Sequence, residues 1–179
     1  MRMWRSLTQM IFMGVLSVLL TGCVIAPIEV ELSPQEKVRI VLPNSVEPVD
    51  LSSYEEELLT KVNEARAEEG VEPLVYDPQV AKVAQLKAQD LLTNNYFEHE
   101  SPTYGAPSEM LTQFGIDWIA SGENIAAGQL SVDEVHQGWM DSPGHRENIL
   151  NPMFTHIGFG FTEGGGDYGT YWVQMFTAY

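Results

Sequence analysis

Two stretches of the chain carry apolar residues at the three- and four-residue spacing of a helix face. In the first, Leu58, Leu59, Val62, Ala65 and Arg66 follow a capping Ser52 or Ser53 and an acidic first turn, Glu55-Glu56-Glu57, that suits the helix dipole. Gly70 ends that run. The second opens at Asp77-Pro78, a cap followed by a first-turn proline, and carries Val80, Val83, Ala84, Leu86, Leu91 and Leu92. Between them, Leu74-Val75-Tyr76 is long enough only for an extended piece. Shorter helices are expected over 108–114 and 131–140, the latter capped by Ser131 with Asp133 and Glu134 in its first turn. Beyond residue 155 the period drops to two. Segments 156–161 and 170–177 read as strands joined across Gly164-Gly165-Gly166-Asp167, a glycine-rich hairpin loop. The expected class is α+β, with helices on either side of a small antiparallel sheet.

The N-terminal part follows other rules. Residues 1–22 have a basic start (Arg2, Arg5), an apolar stretch from about Met10 to Leu20, and small residues before Cys23, the layout of a signal peptide. The apolar stretch is shorter than the roughly 20 residues that span a bilayer. Leu20-Thr21-Gly22-Cys23 at its end reads as a lipoprotein signal, with Cys23 as the lipidated residue, against the alternative of a stray thiol. Two or more acyl chains, each contributing about 0.8 kcal/mol per buried CH₂, anchor stably where one chain is marginal. Residues 23–50 contain Pro27, Pro34, Pro43 and Pro48 with no helical period and read as a lipid-anchored acidic tether, with room for a short strand within 37–42. The folded domain then occupies 51–179. The membrane, reached through lipidated Cys23, is thus an expected partner. The expected location is the cell envelope facing outside the cytoplasm, in an outer membrane or on the outer face of the cell membrane.

Charge narrows the partners. The 179 residues carry a net charge of −16, which becomes −18 once the two leader arginines are gone, and such a surface repels nucleic acid and anionic headgroups. After Lys87 the only basic residue is Arg146, and all four histidines lie in that same half. An acidic, histidine-bearing half suits cations or cationic partners, although solubility alone is an equally good account. Cys23 is the only cysteine, which excludes intrachain disulfides and a thiol nucleophile within the domain.

The residues with chemistry to offer are His99, Glu123 and His145, separated by 24 and 22 positions, so only tertiary structure can bring them together. Converged, two imidazoles and a carboxylate are the three-ligand set of a catalytic zinc site with a fourth position open to water. Alternatively Glu123 acts as a general base beside a histidine, or each histidine is simply a hydrogen-bonded core or capping group. Ser142-Pro143-Gly144-His145 invites a serine nucleophile. It is more simply a turn in which Ser142 caps, Pro143 sets φ and Gly144 bends the chain into a helix over 145–150. No Gly-x-Ser-x-Gly elbow accompanies it. Asn124, Ser142 and Asn148 are candidate cleft residues, with loop-bonding asparagines as the alternative. His136 is expected at or near the surface. His156 is a weaker candidate for a cleft rim. Trp118, Trp139, Trp172, Phe159, Phe161 and Phe176 are expected in the core.

Phe97-Glu98-His99 with Ser101-Pro102, Gly122-Glu123-Asn124-Ile125-Ala126, the run from Trp139 to Asn151, and Tyr171-Trp172-Val173-Gln174-Met175-Phe176 occur in an order that resembles the CAP superfamily. This is the group of cysteine-rich secretory, antigen 5 and pathogenesis-related 1 proteins, also called SCP-like. The chain looks most like its disulfide-free bacterial branch, and the resemblance runs from about Leu51 to Tyr179. It implies an α-β-α sandwich whose cleft holds two histidines and two acids, with His99, Glu123 and His145 matching three of the four. The second glutamate normally follows the helix tryptophan. Here Trp139 is followed by Met140-Asp141-Ser142, so that carboxylate is absent or replaced by Asp141 out of register. The resemblance leaves the function open among several classes. The leading expectation is an envelope binding module for a lipid, glycan or protein ligand. The alternatives are a metal-dependent hydrolase acting on protein or peptidoglycan, with a divalent cation such as zinc as cofactor and Glu123 as its candidate catalytic residue, and a structural envelope protein with no ligand site.

Overall fold

The computed structural model describes residues 51–179; the leader, Cys23, the tether and the strand expected within 37–42 lie outside the described residues. The elements run in the order α1 (Ser53–Glu68), β1 (Val75–Tyr76), α2 (Pro78–Thr93), α3 (Pro107–Gln113), β2 (Ala120–Ala127), α4 (Val132–Asp141), α5 (Pro143–Ile149), β3 (His156–Glu163) and β4 (Thr170–Ala178). Local chemistry sets most of the helix starts. The Glu55 carboxylate accepts the Ser52 N–H at 2.9 Å and the Ser52 hydroxyl at 2.6 Å, closing the entry to α1. Asp77 accepts from the N–H groups of Gln79 and Val80 at the start of α2, and Ser131 accepts from Glu134 at the start of α4. At α5 the Ser142 side chain makes no such bond, and Pro143 at the first helical position sets the start instead.

Four strands form one mixed sheet in the order β1-β3-β4-β2. β3 and β4 are the expected hairpin, antiparallel from His156↔Thr177 to Glu163↔Thr170. Two additions complete the sheet. The extended piece at Val75–Tyr76 joins it as a parallel edge beside His156 and Ile157, and the Gly-Glu-Asn segment becomes β2, antiparallel to β4 from Ala120↔Ala178 to Ala127↔Tyr171. Residues of β2 such as Ala120, Ser121 and Gly122 have little strand preference of their own. The free edge of the fully buried β4 supplies the missing drive.

Every β4 residue is buried, and alternate positions feed two cores. On one face Trp172 and Phe176, with Ile157 and Phe159 of β3, pack against Leu58 and Val62 of α1, Val135 and Trp139 of α4 and Ile149 of α5. On the other, Tyr171, Val173 and Met175, with Ile125 of β2, pack against Val80, Val83, Ala84 and Leu91 of α2 and Met110 and Leu111 of α3. The result is an α-β-α sandwich. Trp118 departs from expectation. It stays 39% exposed, with its indole N–H donated to the Thr112 hydroxyl at 3.2 Å, because it lies before β2 rather than within the sheet.

Two details lock the layers. The fully buried Arg66 guanidinium donates to the carbonyls of Glu72, Ile149, Asn151 and Phe154 at 2.7–3.2 Å, tying α1 to the segment between α5 and β3. On the opposite face, α2 rests on β3 at Gly158 and Gly160. A Cβ at Gly158 would stand 2.1 Å from the Ala81 nitrogen, and one at Gly160 2.2 Å from the Ala84 carbonyl oxygen. Backbone on both sides of the contact cannot yield as a side chain would. Gly160→Ala is therefore expected to lower the unfolding free energy by about 3 kcal/mol in urea denaturation. Gly138→Ala in α4, with no atom within 4 Å of the added carbon, should be neutral or stabilising by about 0.5–1 kcal/mol. Equal effects of the two substitutions would refute the close contact.

Candidate functional site

The segment that carries His99 has no regular secondary structure, so buried charges at the end of α2 hold it. Lys87 is fully buried on the apolar face of α2, and its ammonium donates to the Tyr96 hydroxyl at 3.0 Å and to the carbonyls of Glu98 and His99 at 2.9 and 2.7 Å. Burial pulls the Lys87 ammonium below the ordinary lysine range, and the neighbouring Glu123, Asp90 and Glu98 charges oppose that pull. One turn on, Asp90 accepts from the hydroxyls of Tyr96, Ser101 and Thr103 at 2.5–2.6 Å and from the Asn94 amide at 2.7 Å. Burial alone would raise the Asp90 carboxyl, but these donors outweigh it and hold the group below the usual carboxylate range. Together the two side chains fix residues 94–103, and with them the position of His99.

Opposite stands β2. Its Glu123 points to the α2 side, with only 2% of its side chain exposed, and Glu123 Oε1 lies 2.7 Å from Nδ1 of His99, a ring that is itself 56% exposed. Glu123 Oε2 is buried and has no hydrogen-bond partner. A buried carboxylate oxygen left unpaired is costly and is the natural place for a donor from outside the chain.

The next residue points the other way and builds the second wall. Asn124, fully buried, donates to the His145 carbonyl at 3.0 Å and to Gln174 Oε1 at 2.9 Å, while Asn148 donates to Asn124 Oδ1 at 2.9 Å and to the Glu123 carbonyl at 3.2 Å. The Asn148 bond satisfies a carbonyl on the free edge of β2 and binds α5 to that edge. It brings His145 to the same rim as His99. Burial lowers the tendency of His145 to take a proton, and the nearby His99 lowers it further.

The structure thus pairs His99 with Glu123 directly and sets His145 across the β2 edge from them. Asn124 and Asn148 are the struts between β2 and α5. Ser142 lies between α4 and α5, where its carbonyl accepts the Arg146 N–H at 2.9 Å and its hydroxyl bonds to neither imidazole. Asp141 accepts from the Gln137 amide at 2.8 Å and lines a different cavity, beside Met140 and Arg146. His156 lies on β3, separated from β2 by β4, with its ring 4.7 Å from that of Tyr179. His136 is half-buried between α1 and α4; burial comes first and Lys61 second in lowering its proton affinity.

Among the described residues no three His, Cys, Asp or Glu side chains are grouped so as to hold a metal ion. The residues as placed do not assemble the two-imidazole, one-carboxylate zinc set, and what they offer directly is a hydrogen-bonding pair. Lys87, Asp90 and Tyr96 are supporting residues that motif reading passed over, and Ser101 and Gln174 stood in the motifs without a role assigned to them. A signal for two of them was present. Lys87 and Asp90 fall on the stripe of α2 marked by Val80, Val83, Ala84 and Leu91, where a charge is out of place unless it is paired.

Comparison with known proteins agrees with this fold. The model of the CAP family, described as the cysteine-rich secretory protein family, matches residues 59–176. The protein YkwD of Bacillus subtilis (strain 168) is 46% identical over 129 residues, which is 72% of this chain and 49% of that protein. An extracellular protein containing a SCP domain from Bacillus anthracis superposes with a TM-score of 0.64 at 33% identity, covering 70% of this chain and 40% of that one. An outer surface protein of Borrelia burgdorferi superposes at 0.65 and 22% identity over 73% of this chain and 96% of its own, a likeness of fold alone. The chain spans about half or less of the length of the two Bacillus relatives.

His145 gives the α5 wall a distinct protonation behaviour. In an NMR pH titration the His145 ring should titrate below the ordinary histidine value near 6.5, and His99→Ala should move it upward by removing the second cause of the shift. Because the folded form takes this proton less readily than the unfolded chain, the His145 contribution to stability is whole above about pH 6.5 and is lost as the pH falls. A His145 ring that titrates normally and ignores His99→Ala would separate the two walls.

Proposed function

The chain belongs to the CAP, or cysteine-rich secretory protein, family, and on that premise we propose that it is an extracytoplasmic, membrane-tethered binding module. Its ligand-receiving cleft lies between His99, Glu123 and His145. One observation carries this reading: Glu123 is buried with Oε1 occupied by His99 while Oε2 is buried and unpaired. A carboxylate serving stability alone would have both oxygens satisfied. Here one oxygen is aligned by a half-exposed imidazole, and the other, closed to solvent in this conformation, would receive a hydrogen-bond donor or cation from a ligand as the His99 ring swings aside. His145, biased toward its neutral form, can accept or donate one hydrogen bond at the same rim. The fold class by itself selects no ligand, so the assignment rests on these atoms.

The envelope address draws on separate support. Leu20-Thr21-Gly22-Cys23 ends an apolar run in the manner of a lipoprotein signal, the chain is strongly acidic, and a SCP-domain relative from Bacillus anthracis is extracellular. Cys23 would carry the lipid and residues 24–50 the spacing between membrane and domain. No helix among the described residues is long and apolar enough to cross a membrane.

Two measurements test the proposal. In Glu123→Met a buried carboxylate with one unpaired oxygen gives way to an apolar side chain of similar length, His99 remains solvated, and the Lys87 ammonium keeps its three acceptors. If the carboxylate is there for a ligand, Tm should stay level or rise by about 4 °C, the shift that about 1 kcal/mol produces in a domain of this size. A fall of that size or more would make the His99–Glu123 pair a structural element and end the cleft assignment. For the address, metabolic labelling with a radioactive fatty acid should mark the wild-type chain and vanish in Cys23→Ala. Label that persists in the variant would overturn the anchor.

A further inference from the structure

One cavity of the domain is separate from the His99–Glu123 cleft. It is a groove of about 620 Å³ at the junction of α4 and α5, with Met140, Asp141, Pro143, Arg146, Glu147 and Leu150 in its lining. Its volume lies in the usual range for small-molecule sites. Its chemistry is mixed in a definite way. Met140 and Leu150 are half-buried and make an apolar floor with Pro143. Arg146 supplies the only side-chain cation of the chain beyond Lys87. Asp141 and Glu147 are exposed and bring carboxylates to the same groove.

Arg146 is not spent. Its guanidinium makes a single side-chain bond, from Nη2 to Glu69 Oε1 at 2.7 Å, and both partners are about half exposed, so the pair adds little stability. A guanidinium has five N–H donors in a planar fork, and four of these remain. Asp141 uses Oδ1 to accept from Gln137, and no bond claims Oδ2. The groove therefore offers unused donors of positive charge and unused acceptors of negative charge above apolar surface.

We propose that this α4–α5 groove is a second binding site, for a zwitterionic amino acid or short peptide whose carboxylate meets Arg146 and whose ammonium meets Asp141 and Glu147, with an apolar side chain on Met140 and Leu150. The charge of the whole chain sharpens the choice. At −16 it repels a ligand that carries only negative charge, and a simple cation would have no use for Arg146. A ligand with both charges satisfies both halves of the groove. The site shares no lining residue with the His99–Glu123 pair and does not depend on the function proposed for that cleft.

The test is a calorimetric titration of the full-length chain with leucyl-leucine, N-acetyl-leucyl-leucine and leucyl-leucine amide. Leucyl-leucine should bind saturably, and blocking either terminus should weaken binding about tenfold or more, as expected for loss of a charged hydrogen bond. Arg146→Gln should weaken leucyl-leucine to the same degree and leave the amide, which has no carboxylate, unchanged. Glu147→Gln combined with Asp141→Asn should do the converse, weakening leucyl-leucine while leaving the N-acetyl form unchanged, and it keeps the test valid if Arg146→Gln fails to fold. The proposal is overturned if leucyl-leucine shows no saturable binding or if the blocked peptides bind as well as the free one. It is equally overturned if Glu123→Met abolishes leucyl-leucine binding, since the ligand would then belong to the other cleft.

Discussion

Backbone contact between α2 and β3 is the constraint on which the rest of this domain depends. At Gly158 and Gly160 the helix lies against the strand with no room for a β-carbon, and this fixes both its height above the sheet and its rotation about its own axis. Rotation decides which residues of α2 face inward. With Val80 and Ala84 down on the sheet, Lys87 and Asp90 fall at the end of the same buried stripe, directed at the segment that follows the helix. Their bonds to Tyr96, Ser101 and Thr103 and to the carbonyls of Glu98 and His99 then hold that segment beside β2. The position of the His99 ring over Glu123 is thus set, through two intermediate layers, by two missing side chains in the sheet.

A very acidic chain puts its few cations to unequal use. Arg66 and Lys87 are wholly buried and spent on carbonyl groups, seven hydrogen bonds between them, six to backbone carbonyls and one to the Tyr96 hydroxyl. Burying a charge this way is tolerable because seven of the eight N–H groups find an acceptor, and removing either side chain would strand its acceptors. Later in the chain than Lys87, Arg146 is the one Lys or Arg, and it stays at the surface with most of its donors unclaimed. Charge composition read from the chain treats these residues alike, whereas burial divides them into frame and surface chemistry.

The cleft itself is assembled at a sheet edge, and that explains its two walls. Successive residues of a strand point to opposite faces, so Glu123 reaches the α2 side while Asn124 reaches α5. One side chain meets His99 and the other ties down His145. An edge strand has unpaired backbone groups that need covering, and Asn148 from α5 does this at the Glu123 carbonyl. The Gly-Glu-Asn segment and the helix after Ser142 are therefore parts of one joint, with the buried, unpaired carboxylate oxygen at its centre.

By itself the sequence determined what local rules govern. The extents of α1 and α2, a serine cap at Ser52 or Ser53, the Asp77 cap and the β3–β4 hairpin follow from periodicity, propensity and turn chemistry that act over a few neighbours, while the cleft candidates came from their side-chain chemistry and the motifs that resemble the CAP family. The tertiary structure decided what depends on partners distant in the chain. Ala120–Ala127 has weak strand preference and becomes β2 only because β4 offers an edge, and Val75–Tyr76 becomes a strand only beside β3. The same holds for the site. His99 and Glu123 meet across 24 positions because Lys87 and Asp90 hold residues 94–103 beside β2, and Asp141 ends in another groove because α4 turns into α5 immediately after it. Hydrogen bonds and close packing between distant segments have no signature in residue spacing. They exist only once the layers have come together.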